Sequence, residues 1–369
     1  MRSFLSSRWG KLAIGVVLVG FAAMLPLLNI HIPGVLPGPT YTPGALSVLA
    51  YAMLIAALAL SYHLIFGVAG MLSFGHAMFF AAGAYGLGIL LNLLAPSGMP
   101  PEAVFLVAIV LTLVVALVLG NLVGALALRV TGISFAMVTL AFAQAANVMI
   151  RRNTGDLTGG EEGVRLEASL VPEALVGVVN TRNLYWLALG ILVLVYLACV
   201  WIERSRLGHV VAAARENELR VTVLGLRPYT VRLFVFGAAA VLAAVAGIGF
   251  MLLQSSATPR ISTADFTLTL LVIVVLGGVG YRWGAIVGGI VYTILDQRLA
   301  ELASSSWIAE LPPVLHIPLS EPLFILGMLF VLVVMFAPGG IVGISHRLTK
   351  GRGGKKDAAE PAVLQDLEA

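Results

Sequence analysis

The chain has 369 residues, of which 60% are hydrophobic and 11% charged, with a mean hydropathy of +1.01. Soluble domains carry roughly a quarter of their residues as charge, so this composition excludes an ordinary soluble enzyme and describes an all-α polytopic membrane protein. The net charge of +4 and pI near 9.3 do not point to nucleic acid, because Lys and Arg gather at the ends of apolar runs instead of lining one aromatic-interleaved surface.

Apolar runs of roughly 20 residues cross a bilayer, and about ten are read along the chain. They cover residues 12–30, 45–66, 71–94, 103–128, 133–150, 184–202, 233–253, 266–279, 283–299 and 323–336, the eighth and tenth being short by this measure. Between residues 12 and 104 the only Asp, Glu, Lys or Arg is Glu102, and only His63 and His76 can ionise within that apolar core. The first run follows a basic start, as in a signal peptide. Its length and the weak small-residue pattern at Ala22 and Ala23 favour an uncleaved span.

The segment 66–86 carries Gly67, Gly70, Gly75, Gly83 and Gly86 with the polar Ser73 and His76. Small residues allow close helix approach in lipid, and glycine-interrupted apolar segments also mark broken helices around a transporter's central site. Ser73, His76, Thr139 and Gln144 are the polar groups at membrane depth that could meet a zwitterionic solute. Each also has an ordinary role: Ser73 and Thr139 can bond carbonyls of their own helix, His76 can be a helix contact, and Gln144 can face another subunit.

Residues 151–182 hold five acids against four Arg, and their Thr158, Gly159, Gly160, Glu161 and Glu162 form a turn by composition. Those acids could receive a basic protein partner or simply be solvated. Cys199, the single cysteine, lies in an apolar run, which excludes a disulfide framework and a thiolate metal cluster.

Residues 203–232 break the apolar pattern with six Arg and three Glu. Leu207, Val210, Val211, Ala214, Val221 and Leu224 recur at helical spacing, while Arg215, Glu216 and Arg220 face elsewhere and Glu218 interrupts the stripe. One helix of about four turns is expected, with Ser205 as N-cap, Gly225 as stop and Pro228 beyond it. Small apolar residues and mixed charge suit a protein groove better than a lipid surface.

A second glycine cluster follows at Gly277, Gly278, Gly280, Gly284 and Gly288, the last three at the four-residue spacing of small-residue helix packing. Arg2, Arg8 and Lys11 place the N-terminus inside by the positive-inside rule, and an even span count returns the 203–232 island and the basic C-terminal end to the same side. Residues 1–350 thus read as one transmembrane domain, with a cytoplasmic segment at 203–230 and an external loop at 151–182. The tail 351–369 reads as disordered.

These features together resemble the LivM-type permeases of branched-chain amino acid ABC importers. Gly67, Ala69, Gly70, Leu72, Ser73, Gly75, His76, Ala77, Phe79, Phe80, Gly83, Ala84 and Tyr85 match that family's "GYAGQLSLGHAAFFGIGAY" segment. The helix from Gly132 to Gln144 is similar to "GIYFAMVTLAFAQ", the Thr158 loop to "TGGxxG", the Gly277 cluster to "GGxGSxxGP" and Pro338 to Gly343 to "PxGLxG". The island matches the family's cytoplasmic coupling segment at Ser205, Gly208, Ala214, Arg215, Glu216, Glu218 and Gly225, with His209 where Arg is usual.

The resemblance implies a multi-pass inner-membrane permease of vitamin-B12-importer-like (type II) architecture with cytoplasmic termini. Its implied partners are a LivH-type permease homologue, two cytoplasmic ATP-binding subunits, a periplasmic or extracellular substrate-binding protein, and lipid. No cofactor or metal is implied, and the chain has no G-x-x-x-x-G-K-[ST] phosphate loop of its own. Leu207, Gly208, Ala214, Arg215, Glu216, Glu218 and Gly225 would couple to the ATPase. Gly70, Ser73, Gly75, His76, Thr139 and Gln144 would line the path, and Thr158 to Glu162 would receive the binding protein. Alternatives are a relative carrying urea, amides or other small solutes, or a secondary transporter working alone, which would have no need of the charged island.

Overall fold

The computed structural model describes residues 8–30, 36–153 and 155–303, with scattered positions between 324 and 343. The run at 323–336 therefore lies largely outside the described residues, and the tail at 351–369 wholly so. The helices are α1 (Arg8–Met24), α2 (Pro43–His63), α3 (Ala77–Leu94), α4 (Pro101–Ala127), α5 (Ile133–Arg151) and α6 (Thr181–Arg204). After these come α7 (Arg206–Glu216), α8 (Glu218–Val223), α9 (Pro228–Gln254), α10 (Ala264–Gly277) and α11 (Arg282–Ala303). A two-residue ribbon joins β1 (Val164–Arg165) antiparallel to β2 (Ser256–Ala257).

Six helices among the described residues are long and apolar enough to span a bilayer, or seven if α10 and α11 count as one. Those two are bent by 117° at the break between them, so the expected eighth and ninth spans form an elbow instead of two independent crossings. The reason is local: Gly278 and Gly280 adopt φ of +122° and +91°, which ends α10. Fourteen residues reach only about 21 Å, short of a hydrocarbon core of about 30 Å.

Helix α2 sits at the centre, buried on all sides from Ala52 to Ile65, as a helix apolar all round should be. The bundle closes around it where side chains are smallest. A Cβ on Gly83 of α3 would run into Ala244 O of α9, and one on Gly247 of α9 into Phe80 O of α3, so the two backbones touch directly. A Cβ on Gly289 of α11 would lie 2.6 Å from Ala56 Cα of α2.

Outside this core, Leu106, Val110, Val114, Val118 and Leu122 form an exposed i, i+4 stripe along α4, the composition lipid contact requires. Helix α1 is tied on by Tyr185 Oη donating to Ala22 O at 2.6 Å and Trp186 Nε1 to Ala23 O at 3.2 Å. Cys199 is buried and lies 3.6 Å from Leu60 O.

Candidate functional site

The expected span at 71–94 is helical only from Ala77, and residues 69–76 are unwound. Helix α2 runs on through a π turn, Leu64–Val68, for 26 residues or about 39 Å, whereas α3 has 18 residues or about 27 Å. The unwound segment makes up the difference by climbing from the island end back into the bundle. Non-helical backbone at membrane depth survives only when protein satisfies its polar groups, and here it does.

Phe74 N donates to Thr139 Oγ1 at 3.0 Å, and Ala77 N to Thr267 Oγ1 at 3.2 Å. Gly75 N donates to Ser73 Oγ at 3.3 Å, while Ser73 O accepts from Tyr62 Oη at 3.0 Å. The Ser61 hydroxyl lies 2.7 Å from Leu58 O and 2.8 Å from His76 Nε2. His76 Nδ1 is buried with no hydrogen-bond partner among the described residues. Gly75 is held so closely that a Cβ would lie 2.5 Å from Thr139 O.

Ser73, Gly75, His76 and Thr139 thus meet at one place, with Gly70 at the start of the same segment. Gln144 does not join them, since it is exposed on α5. Thr139 also donates to Ala136 O at 2.9 Å, so its own-helix bond and its cross-segment bond coexist. Tyr62, Ser61 and Thr267 also belong to the cluster. The signal was present in the Ser61-Tyr62-His63 polar triplet inside an otherwise apolar run.

At the island end the single expected helix is two. Asn217, with φ −154° and ψ 101°, breaks it, and its side chain caps α8 by accepting from Arg220 N. Ser205 caps α7 by accepting from Gly208 N at 3.2 Å, and Gly225 ends the segment at φ +80°. Gly208, Val211, Ala214 and Val221 are buried against the bundle. Leu207, Glu216, Leu219, Val223 and Leu224 are exposed.

Arg232, on α9, pairs with Glu218 at 3.0 Å and donates to Ala214 O at 3.2 Å, which fastens both short helices. Arg215 keeps much of its surface exposed. It crosses to the bundle, where Nη1 donates to Gly67 O. Beside it, Glu203 at the end of α6 lies 3.4 Å from His63 Nε2 and 3.3 Å from Arg282 Nε, joining α2, α6 and α11.

At the opposite end, Asn153 Oδ1 accepts from Thr158 N at 2.8 Å and Gly159 N at 3.0 Å, and Arg151 pairs with Glu161 at 2.8 Å. A hollow of about 580 Å³ opens there, lined by Arg151, Glu161, Thr258, Pro259 and Arg260. In the second glycine cluster, Gly277 and Gly284 touch backbone to backbone and Gly288 packs on Gly277, but Gly280 lies in the turn with open space around it. Among the described residues no group of three His, Cys, Asp or Glu could hold a metal ion.

Comparison with known proteins identifies the family. The family described as branched-chain amino acid transport system / permease component matches residues 44–338. The high-affinity branched-chain amino acid transport system permease protein LivM of Salmonella typhimurium is 26% identical over 338 residues, covering 85% of this chain and 73% of that protein. The LivH permease of Escherichia coli K12 is 25% identical over 302 residues, 78% of this chain and 91% of its own length. A probable LivM of Methanocaldococcus jannaschii is 24% identical over 313 residues, 77% of this chain and 88% of that protein. With most of its length inside the matched region and six or more apolar spans, the chain belongs to the branched-chain amino acid transport permease family and is a multi-pass protein of the bacterial inner membrane.

Proposed function

We propose that this chain is the substrate-translocating subunit of an ATP-driven importer of leucine, isoleucine and valine, paired with a LivH-type permease. Two cytoplasmic ATP-binding subunits would hydrolyse ATP, and an external binding protein would deliver the solute to the loop around Thr158 to Glu162. In this reading both termini are cytoplasmic. The elbow α10/α11 and the run at 323–336 complete about ten membrane segments in a vitamin-B12-importer-like plan.

The observation that carries the reading is the α7–α8 elbow. Leu219, Val223 and Leu224 are exposed there, beside Glu216, Arg220 and Arg227. Such dense charge does not enter hydrocarbon, so those apolar side chains suit a groove on a water-soluble protein. A partner that grips this elbow differently in two states can shift the bundle between them, and only by that difference. The unwound segment around Ser73 and His76 is the natural place for the path, since a helix break that opens during transport presents backbone dipoles to a passing zwitterion, although both side chains are buried in this structure.

The test is reconstitution in proteoliposomes of this chain with the other four subunits, followed by uptake of labelled leucine, isoleucine, valine and urea. ATP-dependent uptake of the three amino acids, lost when either ATP-binding subunits or binding protein are omitted, is expected. Uptake by the permeases alone would overturn the reading, and uptake of urea in place of leucine would move the substrate.

A further inference from the structure

We propose that Arg215 is a positioning residue that links the α7–α8 elbow to the unwound segment; this rests on the coupling role proposed above. Three observations place it. Met71 N bonds to Ile65 O at 2.9 Å, so the chain turns away from the helix and leaves Gly67 O at the end of the π turn. Carbonyls at a helix C-terminus lack internal partners and carry partial negative charge, and the Arg215 guanidinium occupies this one.

The second observation is Gly70. Its φ of +68° suits glycine, and a Cβ there would lie 2.6 Å from Arg215 Cγ and 2.9 Å from Cδ. The stem of Arg215 therefore lies flat on the first turn of the unwound segment while its head holds the carbonyl three residues earlier. Thirdly, the base of α7 is fixed: Ala214 is buried and its carbonyl is held by Arg232. A displacement of the elbow therefore moves Arg215, and Arg215 is in direct contact with the chain that leads to Ser73, Gly75 and His76.

Glu216, Leu219, Val223 and Leu224 are exposed and remain for the partner; Arg215 is exposed as well, but its stem and guanidinium touch Gly70 and Gly67 and so transmit. Arg215 would serve both ends of the stroke, because the contact with Gly67 and Gly70 pulls as well as pushes.

The experiment uses the full five-subunit complex in lipid nanodiscs, comparing wild type with Arg215→Ala, Arg215→Lys, Gly70→Ala and the double variant Gly70→Ala/Arg215→Ala. The readouts are retention of the ATP-binding subunits on purification, and the ATP-dependent change in amide hydrogen exchange over residues 70–77. Arg215→Ala is expected to keep the ATP-binding subunits yet lose at least tenfold of the ATP-dependent exchange change, with Arg215→Lys recovering part of it. The double variant should be no worse than the stronger single one, because both changes break one contact. Loss of the ATP-binding subunits from Arg215→Ala, an unaltered exchange response, or additive losses would each overturn the proposal. If Gly70→Ala is not recovered folded, the Arg215 pair decides by itself. Leu219→Glu separates this from the coupling role: a complex that keeps its ATP-binding subunits and its exchange response after that change refutes the role itself, whatever Arg215 does.

Discussion

Thr139 Oγ1 lies 3.0 Å from Phe74 N, a bond that spans 65 residues and holds the unwound segment against α5. Thr139→Val keeps the shape but removes the acceptor, leaving a buried N–H unmet at a cost of about 1–3 kcal/mol. A lower melting temperature in detergent and slower uptake are expected, with Thr139→Ser near wild type in both. An unchanged melting temperature for the valine variant would show that Phe74 N has another partner.

Glu203 stands between His63 and Arg282 with only 18% of its side chain exposed. Removing one member of such a buried set strands the others, and Glu203→Ala should cost roughly 3 kcal/mol. Glu203→Gln, which can still accept hydrogen bonds, should cost less. Thermal unfolding in detergent measures both, and a Glu203→Gln melting point equal to that of wild type would contradict the electrostatic account.

Asn153 adopts φ +49° and gathers three donors of the external loop, Thr158 N, Gly159 N and Thr158 Oγ1. Asn153→Ala loses these acceptors and places alanine where asparagine is better tolerated. Hydrogen exchange at Thr158 and Gly159 should accelerate by about fivefold, since each lost bond is worth about 1 kcal/mol. Exchange at the membrane-embedded amides of α9 should not change.

Gly83 and Gly247 set the α3–α9 crossing, where added side chains would meet backbone oxygen atoms. Gly83→Leu should prevent the crossing, so that no monodisperse protein is recovered. Gly190, with nothing near a built Cβ, provides the contrast, and Gly190→Leu should leave yield and melting temperature close to wild type.

The spans were legible in sequence because lipid demands unbroken apolar runs, and helices α2, α4, α5, α6 and α9 fall within a few residues of their expected bounds. The break at 69–76 was not, although glycine there hinted at it. Residues 71–76 lie in an apolar run that only Ser73, Gly75 and His76 interrupt, and the groups that make unwinding tolerable, Tyr62, Thr139 and Thr267, sit on three other helices. The break at Asn217 had a visible signal, a capping residue followed by Glu218, but the apolar spacing running on to Val221 masked it. Arg215 lies off the buried face, as its spacing implies, but no spacing displays the reach of its guanidinium to Gly67 O, 148 residues distant.

The crossing at Gly83 and Gly247 also limits how this protein can move. Where two backbones touch with nothing between them, there is no layer of side chains to change rotamer and let one helix slide on the other. The pair α3 and α9 then behaves as a rigid spine, a fixed frame for any stroke. Any stroke then has to carry α3 and α9 together as one body.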